Sequence, residues 1–126
     1  MKERMLAAVL HGEWKPRPDY KPTPEEERTK KVKHGSRVWR NTELKLEEIE
    51  KPKPGPRQLV IRVKACGICG SDIHMYEKDE EGYMLYPGMV RLPVVIGHEL
   101  SGEVVEVGSE VKEFKPGDAV TCVEMW

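Results

Sequence analysis

Alternating apolar and polar residues predict a chain built mainly from short β-strands. The alternation is clearest at 58–65, where Leu59, Ile61 and Val63 share one face and Arg62 and Lys64 lie on the other. Such a period of two is typical of a strand with one covered face. The other predicted strands are 5–10, 42–49, 100–107 and 119–123. Several short strands separated by turn residues indicate a small β-barrel or sandwich.

A proline-rich and charged segment at 13–40 interrupts this pattern. Thr23 and Glu26 have the spacing of a helix capping box, and Pro24 suits the first helical position. We expect Gly35 to end that helix, because glycine is the preferred residue just past a helix C-terminus. The segment is therefore predicted to be a surface insertion that carries one short helix.

In 42–49, Leu44 and Leu46 alternate with Lys45 and Glu47, which predicts one apolar and one polar face for that strand.

Length and charge narrow the class of protein. The 126 residues suffice for one domain. The 21 Lys and Arg residues nearly balance the 22 Asp and Glu residues, giving a net charge of −1. This balance argues against nucleic acid or an acidic membrane as a partner. No apolar run approaches the ~20 residues of a membrane span, so we expect no membrane association.

The cysteine content indicates the compartment. Three cysteines cannot form a complete set of disulfides within one chain. The apolar run at 5–10 is shorter than expected for a secretory signal, and no clear cleavage site follows it. We therefore expect reduced thiols and a cytoplasmic location.

Residues that bind metals or move protons are concentrated in two places. The first is the sequence CGICGSDIH at 66–74, directly after the clearest predicted strand. The second is GHE at 97–99, which opens the next strand. Cysteine, histidine and carboxylate side chains are the usual ligands of zinc.

Cys66 and Cys69 admit four interpretations on residues alone. A structural zinc site needs four ligands, normally two close pairs, and only one pair is present. A thiol-redox pair would precede a helix, which Ser71 and Asp72 could cap, but it leaves His98 unexplained. Two buried cysteines without a chemical role are a further alternative. An open catalytic zinc site uses one cysteine, one histidine and nearby carboxylates, which is the inventory present, and we favour it.

Five short motifs follow one another as in a known family. They are LAAVLHG at 6–12, CGICGSDIH at 66–74, LPVVIGHELSG at 92–102, VG at 107–108 and KPGDAV at 115–120. In this order they resemble the zinc-dependent medium-chain alcohol and polyol dehydrogenases, and the form of 66–74 is similar to the sorbitol, threonine and inosose dehydrogenase branch. The resemblance covers nearly the whole chain except about 13–40.

The resemblance implies a GroES-like, partly open β-barrel with short helices. Residues 1–126 would form an incomplete N-terminal catalytic domain of an enzyme that interconverts a secondary alcohol and its ketone with NAD or NADP. The substrate would be a small alcohol or polyol. Whole members of such a family are expected to be homodimers or homotetramers.

The resemblance also implies roles for individual residues. Cys69 and His98 would be the first two ligands of a catalytic zinc ion, and Glu99 would be a ligand or lie beside the metal. Asp72 would fix the tautomer of His98. Ser71 and His74 would begin the proton relay to solvent.

Cys66 would not be a ligand, and we expect it to pack at the end of its strand.

Two features depart from the family pattern within the chain. One is the segment at 13–40. The other is a long gap of 29 residues between Cys69 and His98 (98 − 69), which holds the segment 77–91. That segment could border a substrate cleft, form a subunit contact or simply pack on the surface.

A third departure is an absence. No G-x-G-x-x-G fingerprint of a Rossmann domain occurs in these residues. The third zinc ligand and any structural zinc lobe are also expected elsewhere. We therefore expect the N-terminal part of a longer enzyme, inactive alone; the alternative is a stand-alone zinc-binding or CxxC thiol-redox module.

Overall fold

The computed structural model describes residues 2–123, so Met1 and 124–126 of the predicted domain lie outside the described residues. The strands are β1 Arg4–Trp14, β2 Lys31–Val32, β3 Trp39–Glu50, β4 Leu59–Gly67, β5 Val90–Arg91, β6 Val94–Val95, β7 Glu99–Val107 and β8 Ala119–Thr121. The helices are α1 Pro24–Thr29 and α2 Gly70–Tyr76, and a 3-10 helix covers Gly35–Arg37. The prediction of a mainly β fold is confirmed.

The described residues divide into two compact units. The first contains 2–5, 48–69 and 97–123, and the second contains Leu6–Glu47 and Gly70–Ile96. Most residues of strands β1 and β3 lie in the second unit. They are neighbours in a three-stranded sheet of order β3-β1-β6.

The first unit is built on an antiparallel sheet of order β4-β7-β8. Strand β4 pairs with β7 along its whole length, from Leu59 opposite Val107 to Gly67 opposite Glu99. The register shifts at Val60/Ile61 and again at Val63/Ala65. These irregularities interrupt the strict alternation of faces that the sequence predicts, and Val63 is 51% exposed.

The second unit contains the main hydrophobic cluster. Its buried members are Leu10, Val32, Val38, Trp39, Met84, Val90 and Leu92. The cluster therefore draws on the proline-rich segment 13–40 and on the segment 77–91, as well as on β1. Part of the segment 13–40 is thus buried in the core of this unit and is not exposed to solvent along its whole length.

Backbone pairing joins the segments 13–40 and 77–91. Strand β2 pairs antiparallel with β5, with Val32 opposite Val90. The N–H groups of Gly35 and Ser36 donate to carbonyls of the second segment at 2.9 Å each. The segments 13–40 and 77–91 therefore form one substructure.

The predicted start of helix α1 is confirmed, but its predicted end is wrong. The Thr23 side chain accepts from the Glu26 N–H, and the Glu26 carboxylate accepts from the Thr23 N–H, so the capping box is complete. The helix ends at Thr29, and Lys30 follows in the left-handed conformation with φ of 59°. Gly35 instead begins the 3-10 helix.

Two other strand predictions hold only in part. Strand β3 contains the predicted 42–49, yet Leu44 and Leu46 are 40% and 74% exposed, so the alternation does not mark a covered face. Strand β8 is shorter than the predicted 119–123. Within the described residues, no helix has the length and apolar character needed to span a membrane.

Candidate metal centre

Strands β4 and β7 bring three predicted ligands together in the first unit. Cys69 lies two residues after the end of β4, His98 directly precedes β7, and Glu99 is the first residue of β7. The side-chain ligand atoms of these three residues all lie within 4.8 Å of one another. Residues 29 positions apart in the chain thus meet because the end of one strand pairs with the start of the other.

The donor set fits zinc. It offers one sulfur, one imidazole nitrogen and one carboxylate oxygen, which are the ligand types that zinc takes in proteins. With bonds of about 2.0–2.3 Å, tetrahedral ligand atoms stand roughly 3.5 Å apart. The observed separations therefore need only small side-chain adjustments. Cys69 and His98 are half-buried and Glu99 is exposed, so the group has one open side.

A left-handed glycine leads into the second and third of these residues. Gly97 has φ of +102°, which side chains disfavour. A Cβ at this position would also lie 2.8 Å from the Sγ of Cys66. Glycine is therefore required at 97 both for the backbone turn before His98 and for the space that Cys66 occupies.

The prediction that Cys66 packs at the strand end is wrong, because Cys66 is exposed. Its pairing partner across the sheet is Leu100, and its thiol donates a hydrogen bond to the carbonyl oxygen of Gly67, at 3.6 Å. Cys66 is not among the three grouped ligand residues. All three cysteines lie within the described residues, and none forms a disulfide.

Ser71, Asp72 and His74 lie on helix α2 in the second unit. The helix begins at Gly70, so Ser71 and Asp72 fall within its first turn. Asp72 is buried, at 7% exposure, whereas His74 is exposed. A buried carboxylate in the first turn is favoured by the helix dipole, which is a structural reason for an acid at this position. The roles predicted for these three residues stay predictions.

An arginine-lined cavity in the second unit was not predicted from the sequence. The cavity has a volume of about 550 Å³ and is lined by Arg17, Pro18, Asp19, Arg37, Arg40, Glu81 and Tyr83. The Arg17 guanidinium carbon lies 4.0 Å from the centre of the Tyr83 ring, a cation–π contact.

Carboxylates already balance most of the charge in this cavity. The Arg17 guanidinium pairs with Asp79 and Glu81, and Arg37 pairs with Asp19. The ion pairs of Arg17 therefore link the segments 13–40 and 77–91 beside this cavity. A single sequence shows no spacing pattern that would have predicted it.

The model of the alcohol dehydrogenase GroES-like domain matches residues 55–126, more than half of the chain. The chain belongs to this family, and the matched range contains Cys69, His98 and Glu99. The predicted GroES-like fold and the resemblance to medium-chain alcohol and polyol dehydrogenases are confirmed.

Particular relatives include the scyllo-inosose 3-dehydrogenase of Thermotoga maritima, 48% identical over 128 residues, with 96% of this chain and 32% of that protein covered. Human sorbitol dehydrogenase is 46% identical over 78 residues, which are 62% of this chain and 21% of that protein. The L-threonine 3-dehydrogenase of Aliivibrio fischeri is 42% identical over 91 residues, which are 72% of this chain and 25% of that protein.

A solved structure from Thermotoga maritima, described as that of an alcohol dehydrogenase, superposes with a TM-score of 0.85. It shares 45% identity and covers 90% of this chain and 31% of its own. The chain thus spans about a third or less of the length of these relatives. Because the inosose dehydrogenase matches 96% of the chain, that match extends across the segment 13–40.

Proposed function

We propose that the chain is the N-terminal catalytic-domain portion, residues 1–126, of a zinc-dependent NAD(P) oxidoreductase. The reaction is the interconversion of a secondary alcohol of polyol, sugar-alcohol or inositol type and its ketone. One observation carries the proposal: the ligand atoms of Cys69, His98 and Glu99 lie within 4.8 Å of one another in a member of the alcohol dehydrogenase family.

The three grouped residues would hold the metal. Cys69 binds as thiolate and His98 as neutral imidazole, the forms that coordinate zinc. Glu99 adds a carboxylate on the exposed side, where a ligand can be exchanged. When bound, zinc supplies Lewis-acid chemistry that lowers the pKa of an alcohol.

Helix α2 would handle the proton. In this proposal the Ser71 hydroxyl accepts the proton of the substrate hydroxyl while its own proton passes on to His74, which releases a proton to solvent. The exposure of His74 supports an exit role, because a proton leaving the site needs a group in contact with water. The role of Asp72 in fixing the tautomer of His98 rests on the family resemblance.

The names of the relatives support the proposed substrate class. Their names point to scyllo-inosose, sorbitol and threonine, which share a secondary alcohol or the matching ketone beside other polar groups. A small, polar and uncharged polyol also suits a chain with a net charge of −1. NAD or NADP, a cytoplasmic location and a homodimeric or homotetrameric assembly complete the proposal for the whole protein.

Zinc binding by the purified chain tests the proposal. We expect one zinc ion per wild-type chain by elemental analysis, with affinity measured by competition against a chromophoric chelator. C69S and H98N should each weaken binding by at least about a hundredfold, because each removes a ligand. E99Q should weaken it by about tenfold.

The other two cysteines provide matched controls. C66S and C122S remove the same atom as C69S, and both should bind zinc as the wild type does. A wild-type chain without zinc would contradict the proposal. The proposal would also be contradicted if C66S and C69S lost zinc affinity equally and the wild-type chain formed a reversible disulfide between Cys66 and Cys69. That result would favour the thiol-redox module.

A further inference from the structure

We propose that Gly67 is a positioning residue for Glu99, because its missing side chain leaves the space in which the Glu99 carboxylate reaches the Cys69–His98 pair. The inference rests on the proposed function and assigns a role to a residue outside the ligand set.

The two residues face each other across the sheet. Gly67 ends β4 and is directly opposite Glu99 at the start of β7. A Cβ on Gly67 would lie 2.9 Å from Oε2 of Glu99, closer than real Cβ contacts allow. The next nearest atoms are also those of Glu99, its Cβ at 3.5 Å and its carbonyl oxygen at 3.7 Å, both ordinary contact distances. Only the carboxylate would have to move.

The backbone at Gly67 tolerates a side chain. Left-handed glycines of the described chain are Gly82, Gly97 and Gly117, and Gly67 is not among them. Alanine restricts the unfolded chain more than glycine, so a strand position gains rather than loses from it. G67A is therefore expected to fold and to displace one carboxylate.

That displacement should matter to a cation. The Glu99 carboxylate brings a negative charge beside the half-buried Cys69 and His98, which favours a dication at the group. Groups that orient a metal ligand typically change metal affinity by about 10–100-fold when they are altered. We expect the lower end for G67A, because Glu99 is exposed and can adopt another rotamer.

Gly70 is a matched control three residues along. A Cβ there would meet no atom within 4 Å, and its backbone is not left-handed. G70A therefore makes the same chemical change without touching Glu99.

The experiment measures Zn²⁺ affinity by chelator competition and the absorption spectrum of the Co²⁺ form. It uses wild type, G67A, G70A, E99Q and the G67A/E99Q double variant. We expect G67A to bind Zn²⁺ about tenfold more weakly and to alter the Co²⁺ spectrum. G70A should match wild type, and the double variant should match E99Q within about twofold, since residues acting through one group are not additive.

The outcomes separate this inference from the proposed function. If the wild type binds Zn²⁺ and G67A binds it as tightly as G70A does, the role of Gly67 is overturned and the proposed function stands. The same holds if G67A weakens Zn²⁺ binding as much in the E99Q background as in the wild type. A wild-type chain that binds no metal overturns the proposed function and this inference with it. E99D leaves Gly67 intact and withdraws the carboxylate by one methylene, so it should weaken binding as G67A does; unchanged affinity in E99D contradicts the proposal even if G67A does not fold.

Discussion

Glu26 is a buried carboxylate that ties together the proline-rich segment. It accepts hydrogen bonds from the Tyr20 hydroxyl at 2.8 Å, the Thr23 N–H at 2.8 Å and the Lys33 N–H at 3.0 Å. These bonds, with the Lys33 N–H contributing most, outweigh burial and lower the pKa of Glu26 from 4.5 to about 2. The ionised form is therefore bound more tightly in the folded chain than in the unfolded one.

This shift predicts a pH-dependent cost for E26Q. The folded pKa is depressed, so the stabilisation is complete above the ordinary value of 4.5 and is lost as pH falls toward 2. We expect E26Q to lower the free energy of unfolding by about 2–3 kcal/mol at neutral pH. Denaturant titrations across the acid range should show the difference from wild type shrinking as Glu26 protonates.

Glu25 and Glu27 provide controls on the same helix, since both are exposed. E25Q and E27Q should change the unfolding free energy by less than about 0.5 kcal/mol. A difference between wild type and E26Q that stays constant from pH 7 to about pH 2 would rule out ionisation as the cause.

At the residue scale, residue type and family pattern predicted which side chains lie close together better than they predicted how exposed those side chains are. Cys69, His98 and Glu99 were singled out by residue type and family pattern, and pairing of β4 with β7 does bring them together. The exposure of Cys66 was not predictable, because it depends on what covers the end of the sheet. The ion pairs of Arg17 depend likewise on a contact more than 60 positions away.

At the scale of the elements, strand β7 needs a glycine at position 102, because the backbone of β4 lies very close to it. A Cβ there would lie 2.2 Å from the carbonyl oxygen of Arg62 and 2.7 Å from Cγ2 of Ile61. Gly102 pairs with Val63 beside the register shift, where β4 and β7 are pressed together. The obstacle is backbone, which cannot rotate away as a side chain can.

G102A is therefore expected to lower the free energy of unfolding by about 2–3 kcal/mol through overpacking. Chemical denaturation followed by circular dichroism measures the loss. S101A alters the exposed neighbouring position on the same strand and should cost less than about 0.5 kcal/mol. Equal midpoints for G102A and wild type would show that β4 and β7 can separate freely at this point.

The elements themselves were largely visible in the sequence. Period-two patterning predicted the main strands, and the capping box predicted the start of α1, because both are local properties. The end of α1 was missed because Lys30, a residue with a side chain, adopts the left-handed conformation usually left to glycine. The β2–β5 pairing was missed since two-residue strands carry no pattern and their register depends on distant partners.

At the scale of the whole molecule, we expect this chain to bind the metal but not to catalyse the reaction. The chain spans 32% of the length of the inosose dehydrogenase it resembles, and its sequence holds no dinucleotide fingerprint. Hydride transfer needs a positioned nicotinamide as well as a polarised alcohol. We expect the zinc-loaded 126-residue chain to form no NADH or NADPH from cyclic or linear polyols.

The assay follows the ultraviolet absorbance of the reduced nicotinamide in the presence of each polyol and either cofactor. A zinc-free sample and a sample without polyol set the background. Sustained, zinc-dependent formation of NADH or NADPH by the chain alone would contradict the prediction that the chain binds zinc without catalysing the reaction.

The pairing of β2 with β5 also bears on descent. Val32 and Val90 fill one core from two segments that are far apart in the sequence. Deleting either segment would strip the other of its backbone partners and expose buried side chains. The two are therefore expected to be gained and lost together among relatives, and to mark a single branch point in the family tree.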